Sequence, residues 1–229
     1  MKRSIFPVLL LFSLALTAQG QEIQRVDSDF SDYVPLLKNA GYEVFSYDIS
    51  SLKDSTYGIT FIAKEYLNGN LIEGRLSGFT PMFTNRRMLS VYSEEDQKRI
   101  IKNGSAYDVE KGIYKLSNKI TFGFYATVDS VKNVLIDVKN MGSFVLPLAL
   151  RPMDAPGFEG AYRYDIRPFE MEEIKVGEFI PLLLVGSFWW DERFNIIRFC
   201  GEREFSPSMQ SETLDRIPHY FVIGISLSL

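Results

Sequence analysis

"TYGITFIAKEYLNGNLIEG", residues 56–74, carries two apolar runs on either side of Asn68 and Gly69. A two-residue hairpin turn of the commonest kind needs positive φ at both central positions, and Asn-Gly supplies it at least cost. The stretch therefore predicts two antiparallel strands. Working outward, short runs rich in β-branched and aromatic residues recur along the chain. They are "YEVFSYDI" (42–49), "KITFGFYATV" (119–128), "NVLIDVK" (133–139), "SFVLPLAL" (143–150), "AYRYDIRPFEM" (161–171), "EFIPLLLVGSFWW" (178–190), "FNIIRFCGE" (194–202) and "HYFVIGISLSL" (219–229). Strands of this length, separated by turn residues, predict a mainly β fold. The expected architecture is antiparallel and β-sandwich-like: two packed sheets, or two packed β subdomains, with one or two short helices.

The helix signals are few. "SEEDQKRIIKNG" has Ser93 as a cap, acidic residues from Glu94 to Asp96 in the first turn, and Asn103-Gly104 as a stop. "SDYVPLLKNAG" predicts a second short helix capped by Asp32, with Pro35 in the first turn and Gly41 ending it. Residues 74–118 mix Gly, Ser, Asn and charge around the first of these helices. They suggest a division into an N-terminal part, 21–118, and a C-terminal β-sandwich-like part, 119–229. Pro147 and Pro181 interrupt aliphatic runs and cannot donate to a ladder, so each is expected at an edge, a bulge or a strand start.

Residues 1–20 read as an address. Lys2 and Arg3 precede the apolar run "IFPVLLLFSLAL", and Ala18 and Gly20 stand at small-residue positions before a cleavage site, so the mature chain is expected to begin at Gln21. This places the protein in the periplasm, outside the cell or on its surface, with no membrane association beyond export. The net charge of −4 becomes more negative once those two cations are removed. A nucleic-acid surface, which needs clustered Lys and Arg, is not expected. One cysteine, Cys200, allows no internal disulfide.

A single histidine, His219, excludes a zinc site built from several imidazoles, and no metal or other cofactor is implied. Three chemical readings remain. Cys200 and His219 form a conceivable thiol–imidazole dyad, although "NIIRFCGE" reads as a strand rather than the helix N-terminus that activates a thiol. Asp191 or Glu192, behind two tryptophans, could serve glycoside cleavage with a second carboxylate such as Glu172 or Glu202. Adjacent residues of a strand point to opposite faces, so Asp191 and Glu192 cannot flank one bond together. Scattered acids such as Asp27 and Asp29 lack the spacing of a calcium loop.

A binding reading uses the same segment, "GSFWWDERFNIIRFCGERE" (186–204). Alternation puts Trp189 and Trp190 on opposite faces, so one indole is expected in the core and the other at the surface. With Asp191, Glu192 and Arg193 it would form a ligand platform for a glycan or a protein of the cell envelope. The last strand offers a third reading. Phe221, Ile223, Ile225, Leu227 and Leu229 share a face, as in the closing strand of a small outer-membrane β-barrel.

"KITFGFYATVDSVKN", "MGSFVLPLAL", "GSFWWDERFNIIRFCGE" and "PHYFVIGI" together resemble a family of exported proteins from Bacteroidetes with no assigned activity. The likeness covers chiefly residues 119–229. It implies a cell-envelope or secreted setting and carries no catalytic residues. The sequence thus favours an exported noncatalytic β-sandwich protein that binds an envelope protein or glycan. The alternatives are an envelope enzyme of the Cys/His or carboxylate type and the small barrel.

Overall fold

A computed structural model describes residues 27–72, 82–199 and 202–229. The expected export segment, 1–20, and Cys200 lie outside the described residues. In chain order the elements are α1 (Phe30–Asn39), β1 (Glu43–Asp48), β2 (Gly58–Leu67), β3 (Asn70–Ile72), β4 (Met82–Thr84) and β5 (Arg86–Met88). Next come α2 (Glu94–Lys102), β6 (Ile113–Leu116), β7 (Lys119–Phe124), β8 (Val131–Val138) and β9 (Gly142–Ala149). The last are β10 (Tyr164–Pro168), β11 (Phe179–Ser187), β12 (Trp189–Asp191), β13 (Ile196–Arg198) and β14 (His219–Ser228).

The Asn68-Gly69 hairpin forms as expected. Leu67 pairs with Asn70, and Asn68 (φ 48°) and Gly69 (φ 75°) both take the left-handed conformation. Helix α2 is capped by the Ser93 hydroxyl and stops at Asn103. Helix α1 differs from expectation. Its cap is Asp29, and Asp32 sits three residues in, returning a bond from the Asp29 backbone N–H to its own carboxylate (2.9 Å). This reciprocal pair satisfies two of the exposed donors at the helix start and moves Pro35 into the second turn.

Every strand ladder is antiparallel. One large sheet has the order β1-β7-β8-β9, and the second β10-β11-β14-β2-β3, with β4 also on β2; β5-β6 and β12-β13 form two small two-stranded sheets. Residues before and after Lys119 contribute to both sheets: β1 pairs with β7, and β2 pairs with β14 over ten positions. The inner faces meet in one core. Phe122, Phe124, Val134, Ile136 and Leu148 from the first sheet pack with Ile59, Phe61, Val185, Phe221 and Ile223 from the second. Phe61 bridges the two, with its ring 6.2 Å from Phe122 and 5.5 Å from Phe144.

A third layer covers the outer face of the second sheet. Trp189, Phe205, Leu214 and Ile217 pack over Leu184, Tyr220 and Val222. It is built largely from the irregular segment before β14, where alternation gives no signal. The short strands β4, β5 and β6 lie in the region that composition marks only as loop and helix. Pro147 lies in the edge strand β9, and Pro181 at a register shift in β11, so both obey the rule that a residue without an N–H avoids a regular ladder.

The alternative small barrel does not form. One sheet ends on β1 and β9, the other on β10 and β3, so neither closes. The apolar face of β14 meets the opposite sheet, and its other face is covered by the third layer, so the strand is buried on both sides. Only its end leaves the core, at Ser228 and at Leu229, which is 86% exposed. Among the described residues no helix is long and apolar enough to cross a membrane.

Gly224 lies in the middle of this strand, opposite the shift at Pro181. A methyl group there would overlap the Ile180 carbonyl oxygen and come within 2.7 Å of the Phe179 ring. Gly224→Ala is expected to cost about 1–3 kcal/mol or more by overpacking. Urea unfolding of the two proteins measures it, and an unchanged midpoint would remove the close approach from the account.

Candidate functional site

Glu65 and His219 are charged or titratable residues at positions where strand parity demands apolar ones. Glu65 shares its face of β2 with Ile59, Phe61 and Ala63, and His219 shares its face of β14 with Phe221, Ile223 and Ile225. Register explains how they meet. His219 sits opposite Leu67, and Glu65 sits opposite Phe221, one step along the same face. On the other side, Tyr164 of β10 is opposite Ser187 of β11, which neighbours the start of β14.

Both side chains are almost wholly buried, with Glu65 at 3% and His219 at 2% exposure. His219 Nε2 lies 3.0 Å from Glu65 Oε1, and Nδ1 lies 2.5 Å from the Tyr164 hydroxyl. The same carboxylate oxygen accepts from Arg151 Nη2 at 3.4 Å. The Tyr164 oxygen also accepts from the Arg151 N–H (3.0 Å) and faces the Arg151 carbonyl (3.2 Å). The His219 backbone N–H donates to Ser187 Oγ. Polar groups taken from water into an apolar face are costly unless paired, and here they pair with one another.

The phenol has one proton and two acceptors in reach, and this links its direction to the state of the imidazole. If Tyr164 donates to Nδ1, the ring is neutral and its Nε2–H donates to Glu65. If Tyr164 donates to the Arg151 carbonyl, Nδ1 carries a proton, and with Nε2–H also donating to the Glu65 carboxylate the ring is the imidazolium. In both arrangements every ring nitrogen is engaged. Burial pushes the Tyr164 phenol well above its ordinary value near 10, so it stays a donor throughout the neutral range.

Tyr164, Ser187 and His219 line one side of a cavity of about 270 Å³, and Glu65 lies behind His219. Its walls include Trp189, Trp190, Phe188, Met153 and Arg151. The two indoles separate as alternation demands: Trp189 is buried against the third layer, and Trp190 is half-exposed. Arg151 Nε is buried and meets no acceptor among the described residues.

The other residues singled out by sequence do not join this cavity. Asp191 is buried, 3.0 Å from Arg198 Nε, and caps the turn by accepting from the Arg193 N–H (3.1 Å). Glu192 and Arg193 stand exposed at the tip of the β12–β13 hairpin, and Glu172 is also exposed. Glu202 accepts from the Ser211 hydroxyl at 2.6 Å. Asp29 is used as a helix cap. Cys200 lies outside the described residues. Among the described residues no group of three or more His, Asp or Glu side chains could hold a metal ion. Sequence reasoning missed Glu65, Tyr164 and Arg151. The available signal was Glu65 itself, a carboxylate on the inward parity of the best-defined strand.

Removing the Tyr164 hydroxyl strands a buried imidazole nitrogen and the Arg151 N–H. Tyr164→Phe is expected to lose about 1–3 kcal/mol of stability at neutral pH. The raised phenol pKa adds a second readout. A group whose folded pKa lies above its unfolded value stabilises fully below about pH 10 and loses that contribution as pH rises further. The variant should therefore lose less of its stability above pH 10 than the parent. Equal alkaline slopes in urea unfolding would contradict the burial of this phenol.

No curated protein and no solved structure matches the chain. A family model described as a domain of unknown function, DUF5041, matches residues 12–228. That span takes in every strand, the Glu65–His219–Tyr164 network and both tryptophans, and the chain belongs to this family.

Proposed function

We propose that the protein is an exported, noncatalytic binding module of the cell envelope that holds the end of a glycan in the cavity beneath Trp190. The observation that carries the reading is the pairing of a half-exposed indole with a small, mostly apolar pocket over a rigid polar floor. A sugar ring offers an apolar C–H face to stack on an indole and hydroxyls to bond to fixed polar groups. Arg151, whose side chain is 37% exposed at the wall, supplies guanidinium donors there. The volume suits one ring rather than a long chain. The export reading rests on the Lys2-Arg3 start and the apolar run that follows.

A hydrolase is the second reading, favoured by the imidazole at the cavity floor. Against it, His219 uses Nε2 on Glu65 and Nδ1 on Tyr164, both buried. A general base must be free to take a proton from substrate or nucleophile.

The chain has two tryptophans, so intrinsic fluorescence reports on this site directly. Titration with a panel of neutral oligosaccharides is expected to change the emission and to protect it from acrylamide quenching. Trp190→Ala should weaken binding about tenfold or more while leaving the melting curve in place. No response across the panel, or equal binding by the variant, would overturn the glycan reading. Turnover of any bound oligosaccharide would favour the hydrolase.

A further inference from the structure

A second surface lies between the edges of the two sheets. Strands β1 and β10 flank a groove of about 850 Å³, with α1 along its rim. Phe30, Val34 and Leu37 of α1 line it, and no residue of that helix is buried; Phe30 is 75% exposed. Across the groove stand Ile166 and Pro168.

The two edge strands differ in what their backbones offer. In β10, register places the N–H and C=O of Asp165 and Arg167 toward β11, because the flanking Phe188 N–H bonds Arg163 and the Phe169 N–H bonds Leu182. Ile166 and Pro168 then point theirs outward, and all are already used. The Ile166 N–H donates to Asp165 Oδ1 (2.9 Å), and its carbonyl accepts from Arg167 Nη1 (3.0 Å). Pro168 has no N–H, and its carbonyl accepts from the Phe205 N–H. From Ile166 to Pro168 this edge is closed.

In β1 the Ile49 N–H bonds the Asn118 carbonyl, which sets the same phase: Glu43, Phe45 and Tyr47 bond β7, and Val44 and Ser46 point their backbone groups outward. Among the described residues nothing pairs with them. Val44 is 69% exposed, and no proline or bulge interrupts β1; its one groove-lining charge, Glu43, stands at the strand's first position and pairs with Lys38.

We infer that the β1 edge and the α1 groove form a docking site for an extended peptide segment of a protein partner, which adds a strand antiparallel or parallel to β1. The open backbone donors and acceptors select an extended chain. The apolar groove walls select apolar side chains at alternate positions, those on the side facing Val34, Leu37 and Pro168. Of the charged residues on the groove, Lys38 is 3.9 Å from Glu43, Arg167 is engaged with Asp165 and Glu202 accepts from Ser211, which leaves Arg203 as a cation for an acidic flank of the peptide. This site is separate from the Trp190 cavity and does not depend on the glycan reading.

The test uses the direction of one N–H. Because the Val44 N–H points away from β7, Val44→Pro removes a docking donor without breaking a bond of the native ladder. Random heptapeptides displayed on phage are selected on the purified protein, and the winners are synthesised and measured by calorimetry. The expected winners alternate apolar and polar residues and bind Val44→Pro and Val34→Glu at least tenfold more weakly, with unchanged melting curves. N-methylation of alternate peptide amides should abolish binding to the parent protein, which tests backbone pairing even if a variant folds poorly. Three results would overturn the inference: no selected peptide, peptides that bind Val44→Pro as tightly as the parent, or a concentration-dependent dimer lost in Val44→Pro. The last would assign the edge to a second copy of the chain.

Discussion

Strand β14 is hydrogen-bonded on both edges and covered on both faces, and the rest of the molecule is arranged around that constraint. Its two neighbours, β2 and β11, come from opposite halves of the sequence, so the sheet cannot form until the last strand is in place. A strand buried this way must be almost entirely apolar, and from Tyr220 to Ile225 it is. The close approach at Gly224 absorbs the register shift that Pro181 imposes next door. The third layer exists because the outer face of the strand also needs a cover.

The same constraint makes the site. His219 is the first residue of β14 and faces inward, where no water is available to satisfy an imidazole. Glu65 and Tyr164, from strands on either side, supply the missing partners, and Arg151 balances the carboxylate. A network of this kind rigidifies the end of the core rather than adding much net stability. Rigid polar groups under a small apolar cavity suit recognition. The engagement of both ring nitrogens argues against proton transfer as the network's purpose.

What the sequence reveals follows from where physical signals are local. The Asn68-Gly69 turn, the Ser93 cap and the alternating strands are legible because each depends on residues close in sequence. The split between Trp189 and Trp190 follows from strand parity alone. The third layer is not legible, because the segment before β14 has no period and is ordered by packing on Tyr220 and Val222. The Glu65–His219–Tyr164 cluster joins residues 154 and 55 positions apart, and only strand register brings them together. The barrel reading of the last strand failed because alternation cannot distinguish a lipid face from a core face. Nor can alternation show which edge is closed. Asp165 and Arg167 close β10 by bonding the neighbouring backbone, while Val44 and Ser46 leave β1 open.

Native-state hydrogen exchange reads the role of β14 amide by amide. If β14 holds both sheets and the site together, its amides from Tyr220 to Leu227 should exchange only through global unfolding. Their exchange free energies should then equal the unfolding free energy from urea. Faster exchange of β14 through local opening, with β7 and β8 still protected, would contradict it. The site would then rest on an element that opens independently of the core.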